Sequence, residues 1–448
     1  MPPEVTFERV ELPEYQAPSL VPELPARLFR ERFERLERAR EEAGYDVLIV
    51  YADREHYANM AWLTDFDPRF EEALWIQGLG DKPVLLVGNE CYPWAKAKVK
   101  LDADVRLCQP LSLPHQDRSR SPSLPEMLKQ AGFAPGLECG IVGWRAKELP
   151  DIPHWIVATV NDLTGREAKN ATGLLMDNGT GLRLALEPEM VPFFEYASAL
   201  TSESIRDWVH LLREGISERE AAAAFKTYGL ELSCHQMINF GPDIVSGLGA
   251  PRNGRAVHGE YAQAALGVRG GLTCRAGRLA TQATPDADDY EELVHNYLTV
   301  FHHWYRVLAT GATGGEVYAA ADAVRSDDWE FFLNPGHLNH LEEWNASPFY
   351  EGSPHPLTPG MAIQQDIIPA NRTSPASINM EDGLVLADEE FRARLWQLDR
   401  PMMERIEARR DLMARIGYEV HEDVLPLSNI AGVFQPFLFE PEVIAVFS

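Results

Sequence analysis

The chain changes its pattern once, near residue 186, and that change limits the fold more than any other feature. Before it, helical and strand patterns alternate. In ARLFRERFERLERAREEAG, from Ala26, the residues Leu28, Phe29, Phe33 and Leu36 share one helical face, and Gly44 stops the helix. DVLIVYA follows as a buried strand, and ALWIQGLGDKPVLLVG predicts a hairpin turning at Gly80-Asp81. VRLCQ and CGIVGW add strands, and SLPEMLKQAGF adds a helix. Such alternation makes an α/β layer. After the change, LEPEMVPFFEYASALTSESIRDWVHLLREGIS predicts a long helix, and SEREAAAAFKTYGLE continues helically from a Ser217–Glu220 capping box. Short strands and turns then dominate: CHQMINFGPDIVSG, YAQAALGVRGGLTCRAGRLA, MAIQQDIIP and INMEDGLVLAD, with helical patterns at 289–309 and 315–328. The expectation is an extended Pro-rich arm over 1–25, an α/β domain over 26–185 and an α+β domain over 186–448.

Charge narrows the partners. The 68 acidic residues outnumber 41 basic ones for a net charge of -27, and no basic run offers a footprint for nucleic acid or an anionic membrane. Five cysteines lie far apart with no CxxC, as expected of reduced thiols in a cytoplasmic protein. No apolar leader follows a basic start, and no run reaches membrane-spanning length.

Residues able to do chemistry gather in four segments of the second domain. NFGPDIVSGLGAPRNG comes first, and the hairpin GVRGGLTCRAGRLA, broken by Gly270-Gly271, second. NPGHLNHLEEWNASPFY carries His337, His340, Glu342 and Glu343; the last segment carries Asp366, Glu381 and Asp382. Imidazole with carboxylates on strand ends suits divalent ions or acid/base catalysis. The hairpin itself holds no carboxylate and no imidazole.

In order and in the motifs Gly336-His337, Pro359-Gly360-Met361 and Met380-Glu381-Asp382, these segments resemble the creatinase / aminopeptidase P / prolidase family. The resemblance implies the pita-bread fold for the second domain, hydrolysis of a C–N bond, and a homodimer in which the N-terminal domain of one subunit helps close the other's pocket. In metal-dependent members the hairpin supplies two aspartates. Here their positions read Ala265, before Leu266-Gly267, and Ala276, eleven positions on. The family's histidine falls on His337, its first glutamate on Asp366 and its second on Glu381.

Two lost carboxylates argue against a pair of divalent ions, so no metal is expected; the alternative is one ion such as Mn, Zn or Fe on His337, Asp366 and Glu381. Strand alternation puts Cys274, Ala276 and Arg278 on one face, where Arg278 would bind a substrate carboxylate; a one-residue slip would put Arg275 there instead. Cys274 beside two arginines is a possible activated thiol, with a small buried strand residue as the plainer reading. His337, His340, Asp366 and Glu381 are the expected catalytic groups, while Arg275, Arg278, Cys274, Glu342 and Glu343 are expected to line the substrate site, with Trp344 beside them. The metal-independent creatinases place a base histidine after the Ser-Gly matched by Ser246-Gly247. Here that place reads Arg252-Asn253, and His258 is the nearest histidine. Three functions stay open: a metal-independent or mononuclear hydrolase or lyase acting on a small carboxylate, a metal-dependent Xaa-Pro peptidase, and a binding or scaffold protein without turnover.

Overall fold

The structure, a computed structural model, describes residues 4–15, 18, 20–146, 148–242, 244, 247–283, 288–371 and 376–448. Two compact units divide the chain: Leu24–Leu184, and Ala185–Ser448 with the N-terminal residues through Glu23.

The first unit is built on a six-stranded sheet. Its strand order is Asp104–Leu107, Val84–Val87, Ala73–Gln77, Val47–Ala52, Cys139–Val142 and Lys169–Asn170. Val47–Ala52 is buried along its whole length, as its unbroken apolar run requires, and runs parallel to Cys139–Val142. The hairpin between Ala73–Gln77 and Val84–Val87 turns through Gly78 and Gly80, whose φ of 95° and 73° only glycine adopts freely. Side chains from Leu124, Leu128, Ile156 and Val160 close the core over Val47, Ile49 and Ile141.

The second unit carries the site on an antiparallel sheet. Its strands run His337–Leu338, Ala362–Asp366, Asn379–Leu386, Gly271–Arg278, Tyr261–Val268 and Met237–Gly241, with Val424–Pro426 beside Asn379–Leu386. Two helices cover one face. Val191–Leu211 joins it through Thr201 and Thr273, whose hydroxyls lie 2.9 Å apart. Gly271 permits this approach, since a Cβ there would stand 2.6 Å from the Ser198 backbone nitrogen. From Asp288–Val307, the Tyr297 hydroxyl accepts the Met380 N–H at 2.8 Å and donates to the Ile367 carbonyl at 3.0 Å. In the N-terminal arm, Val5–Arg9 pairs antiparallel with the C-terminal strand Val443–Phe447.

Two details differ from the sequence expectation. The helix begun at Ser217 ends after Glu218–Ala221 and one 3-10 turn at Ala222–Ala224. Its buried face stops at Ala224, and Tyr228 beyond it is 77% exposed, so no core contact extends the helix. The hairpin of Tyr261–Val268 and Gly271–Arg278 turns at Arg269-Gly270, one residue before the glycine pair's centre, with Gly270 at φ 85°. No helix among the described residues is long and apolar enough to cross a membrane.

Candidate active site

The site lies on the sheet face opposite the two helices. Strand pairing lines up one row of side chains: Asp366 faces Glu381, Glu381 faces Cys274, Cys274 faces Ala265, and Ala265 faces Met237. Directly opposed residues share a face in an antiparallel sheet, with Cβ atoms about 4.5–5.5 Å apart. A second row, two residues along, holds Asn379, Ala276, Gln263 and Asn239. His337 pairs with Gln364, two residues before Asp366.

This arrangement brings His337, Asp366 and Glu381 together. One donor atom from each lies within 4.8 Å of the others, and all three residues are buried. The Nε2 of His337 stands 3.6 Å from the Glu381 carboxylate and 3.7 Å from that of Glu343, too far for a hydrogen bond. That nitrogen and Oδ1 of Asp366 are buried with no hydrogen-bond partner among the described residues. A buried polar atom without a protein partner calls for a water, an ion or a ligand. The indole of Trp344 stacks on the His337 ring, with centroids 4.2 Å apart and planes 15° from parallel. Gln364 donates to Glu381 at 3.3 Å and to the Leu272 carbonyl at 2.8 Å.

Burial, then the charge of Glu381, pushes the Asp366 carboxyl well above the usual carboxylate range. Burial, then Glu343 and Asp382, does the same to Glu381. A buried carboxylate pair of this kind needs a cation or a shared proton.

The aspartate positions are filled with apolar and sulfur groups. Ala265 and Cys274 pack with Met237 and Leu272, and Cys234 lies against them. Ala276 is also buried.

The other sequence candidates divide. Arg275 points to the opposite face and is 1% exposed. It pairs with Asp382 at 2.8 Å and donates to the carbonyls of Cys274, Glu381, Ile430 and Val433. The expectation that Arg275 holds a substrate carboxylate is therefore corrected: its guanidinium is consumed in the core. Arg278 lies on the site face, but four residues from Cys274, which is about 13 Å along a strand; its Nε donates to Gly259 at 3.3 Å. The Cys274 thiol is not activated by the arginines. Burial raises it well above the ordinary thiol value, and Glu381 and Asp366 add to the rise. His340 is buried in a turn, accepting the Leu341 N–H on Nδ1 at 2.9 Å and meeting Phe194 edge-on, and is not part of the three-residue cluster. Glu343 reaches His337; its neighbour Glu342 is half-buried, with its carbonyl accepting the His340 N–H. Of the pair matched to the creatinase motif, Ser246 lies outside the described residues.

Gln364, Asn379 and Gln263 were not among the sequence candidates. Gln364 and Asn379 stand two positions before the predicted site residues Asp366 and Glu381, and Gln263 two before Ala265, the position of a lost aspartate. Strand alternation alone would have put them on the same face.

Neither a family model nor a curated protein sequence matches the chain. Solved structures do. The prolidase from Pyrococcus horikoshii OT3 matches 80% of this chain and 95% of its own at 16% identity, with a TM-score of 0.63. The prolidase from Pyrococcus furiosus matches 78% and 96% at 18% identity and 0.61. The X-Pro aminopeptidase from Thermotoga maritima MSB8 matches 80% and 95% at 15% identity and 0.62. Likeness at such identities is one of fold, and the fold is the pita-bread one that the motifs implied.

Proposed function

For a chain with the pita-bread fold of prolidases and Xaa-Pro aminopeptidases, we propose a hydrolase that cleaves a C–N bond at His337, Asp366 and Glu381, using at most one divalent ion. One observation carries the reading: three buried donor atoms lie within 4.8 Å, and two of these residues present an unpartnered atom. The set fits a single ion of the Mn, Zn or Fe kind, held by one imidazole and two carboxylates. It does not fit two, because Ala265 and Ala276 end in methyl groups on the face where further oxygens are needed.

A bound ion would supply Lewis-acid polarisation of the scissile carbonyl. The chain's own residues do the rest. Trp344 fixes the plane of His337, so Nε2 stays aimed at the cluster. Gln364 fixes one oxygen of Glu381. Glu343, 3.7 Å from His337 and with its side chain 36% exposed, is the carboxylate that can pass protons between cluster and solvent. A substrate carboxylate would have to meet Arg278 far from the reacting bond, since Arg275 is turned away.

The raised Asp366 and Glu381 favour a second reading, a metal-free acid/base pair sharing one proton. Elemental analysis of protein purified without chelator or added metal separates them. About one tightly held ion per chain, lost in His337→Ala, supports the first. Metal-free protein that hydrolyses dipeptides or small amides, and loses activity in Asp366→Asn, supports the second. Protein that neither takes up metal nor turns over any such substrate sinks both and leaves a binding protein.

A further inference from the structure

We propose that the two-stranded ribbon of Val5–Arg9 and Val443–Phe447 is a pH-operated latch on the helix Asp288–Val307, docked while His302 is neutral and released when that ring takes up a proton. Two histidines of the helix seat the ribbon, His295 and His302, seven residues and so about two turns apart on one side. The His295 ring lies 5.4 Å from Phe7 of the first strand, and Phe7 meets Phe437 edge-on at 5.5 Å. The His302 ring lies 5.1 Å from Phe447 of the second strand. Tyr418 completes the seat, stacked on His302 at 6.4 Å and edge-on to Phe447 at 4.7 Å. Phe447 also donates its N–H to the Ile416 carbonyl at 2.9 Å. Gly417, at φ 92°, makes room for the strand, since a Cβ there would collide with the Phe447 carbonyl oxygen.

His302 is 5% exposed, and its Nδ1 is buried with no hydrogen-bond partner among the described residues. The Gly417 carbonyl accepts from the ring. A neutral imidazole has one N–H and needs one acceptor. An imidazolium has two, and the second would point into the aromatic seat unsatisfied. The charges around the ring do not make up for this. His303 and Arg306, on the same helix, oppose a positive charge, while Glu419, from the turn after Gly417, favours one. Tyr418 offers a neutral hydroxyl, its ionisation pushed up by burial, and the ribbon brings the uncharged Phe447. Burial, then His303, holds His302 below the ordinary imidazole value. The ring's contribution to docking is therefore complete above about pH 6.5 and is lost as pH falls through that value toward the lowered one. Lifting the ribbon lets water reach both ring nitrogens, so release and proton uptake go together.

The test is native-state hydrogen exchange on the full chain, read as protection factors, which remove the intrinsic pH dependence of exchange. Protection over Val5–Arg9 and Val443–Phe447 should fall about tenfold between about pH 7.5 and about pH 5.5, as one group with a released value near 6.5 requires. The central strand Tyr261–Val268 should keep its protection over the same range. In His302→Phe, which preserves the aromatic seat, the ribbon should stay protected at both pH values. His295→Gln, at an exposed position, should leave the fall in place. A fall shared equally by Tyr261–Val268 would be global unfolding and would overturn the latch. Constant ribbon protection in the wild type would overturn it as well, and so would a fall that survives in His302→Phe. Should that variant not fold, an NMR titration of the His302 ring in the wild type decides. A midpoint that coincides with loss of ribbon protection supports the latch, and a ring that titrates under a still-protected ribbon overturns it.

Discussion

Replacing Glu381 with Gln should make the metal-free protein more stable at neutral pH, although it removes a residue of the site. Asp366 and Glu381 offer oxygens within 4.8 Å of each other in the buried cluster. Two charges at that separation repel by about 3.5 kcal/mol at an effective dielectric near 20. The alternative is to keep one carboxyl protonated, which for an ordinary value near 4.3 costs about 3.7 kcal/mol at pH 7. Either way the metal-free fold carries a burden of about 3–4 kcal/mol. In Glu381→Gln the oxygen can still accept from Gln364, and the new amide N–H faces the unpartnered atoms of His337 and Asp366. A net gain of about 2–3 kcal/mol should remain, or about 4–6 °C in Tm for a unit of this size. The pH dependence has a definite sign. Both carboxyls are raised in the folded state. Their favourable contribution is complete below the ordinary carboxyl range and is lost as pH climbs through it toward the raised values. Calorimetry on chelator-treated, dialysed protein should show wild type losing stability from about pH 4.5 upward, the variant losing less, and the two converging near pH 4. Excess divalent ion should reverse the order, because only the wild type keeps the full ligand set. A variant less stable than wild type by the same margin at pH 7.5 and pH 4.5, without metal, would refute the reasoning.

Three further outcomes follow from the same geometry. Arg275→Met should lower stability by about 3–5 kcal/mol in urea melts by stranding the buried Asp382 carboxylate, and adding Asp382→Leu should recover most of the loss. Ala265→Asp with Ala276→Asp should raise metal content from about one to about two ions per chain by elemental analysis and lower the Tm of the metal-free form. His337→Ala should abolish ion uptake and alter tryptophan fluorescence, because Trp344 loses the ring on which it stacks.

Much of the architecture was legible because it is written in periodicities. The short runs in YAQAALGVRGGLTCRAGRLA and INMEDGLVLAD marked strands, and the helical patterns from near 185 and over 289–309 fell on the helices Val191–Leu211 and Asp288–Val307. Alternation also placed Cys274 and Ala276 on a common face. It misled where a local signal lacked tertiary support: the Ser217 capping box starts a helix, but nothing beyond Ala224 buries its next turn.

The sequence by itself determined which residue types stand at each position of the site: alanine at 265 and 276, histidine at 337, carboxylates at 366 and 381. Those identities alone argue against two metal ions, since no packing gives a methyl group an oxygen. Only the tertiary structure decided which arginine faces the cluster, because a one-residue slip leaves the pattern unchanged while reversing every side chain. It likewise decided that Asp382, rather than Glu381, neutralises Arg275, and that Asp366, Glu381 and Cys274 stand side by side. Register is set by pairing between strands far apart in the chain, and spacing within one strand cannot record it.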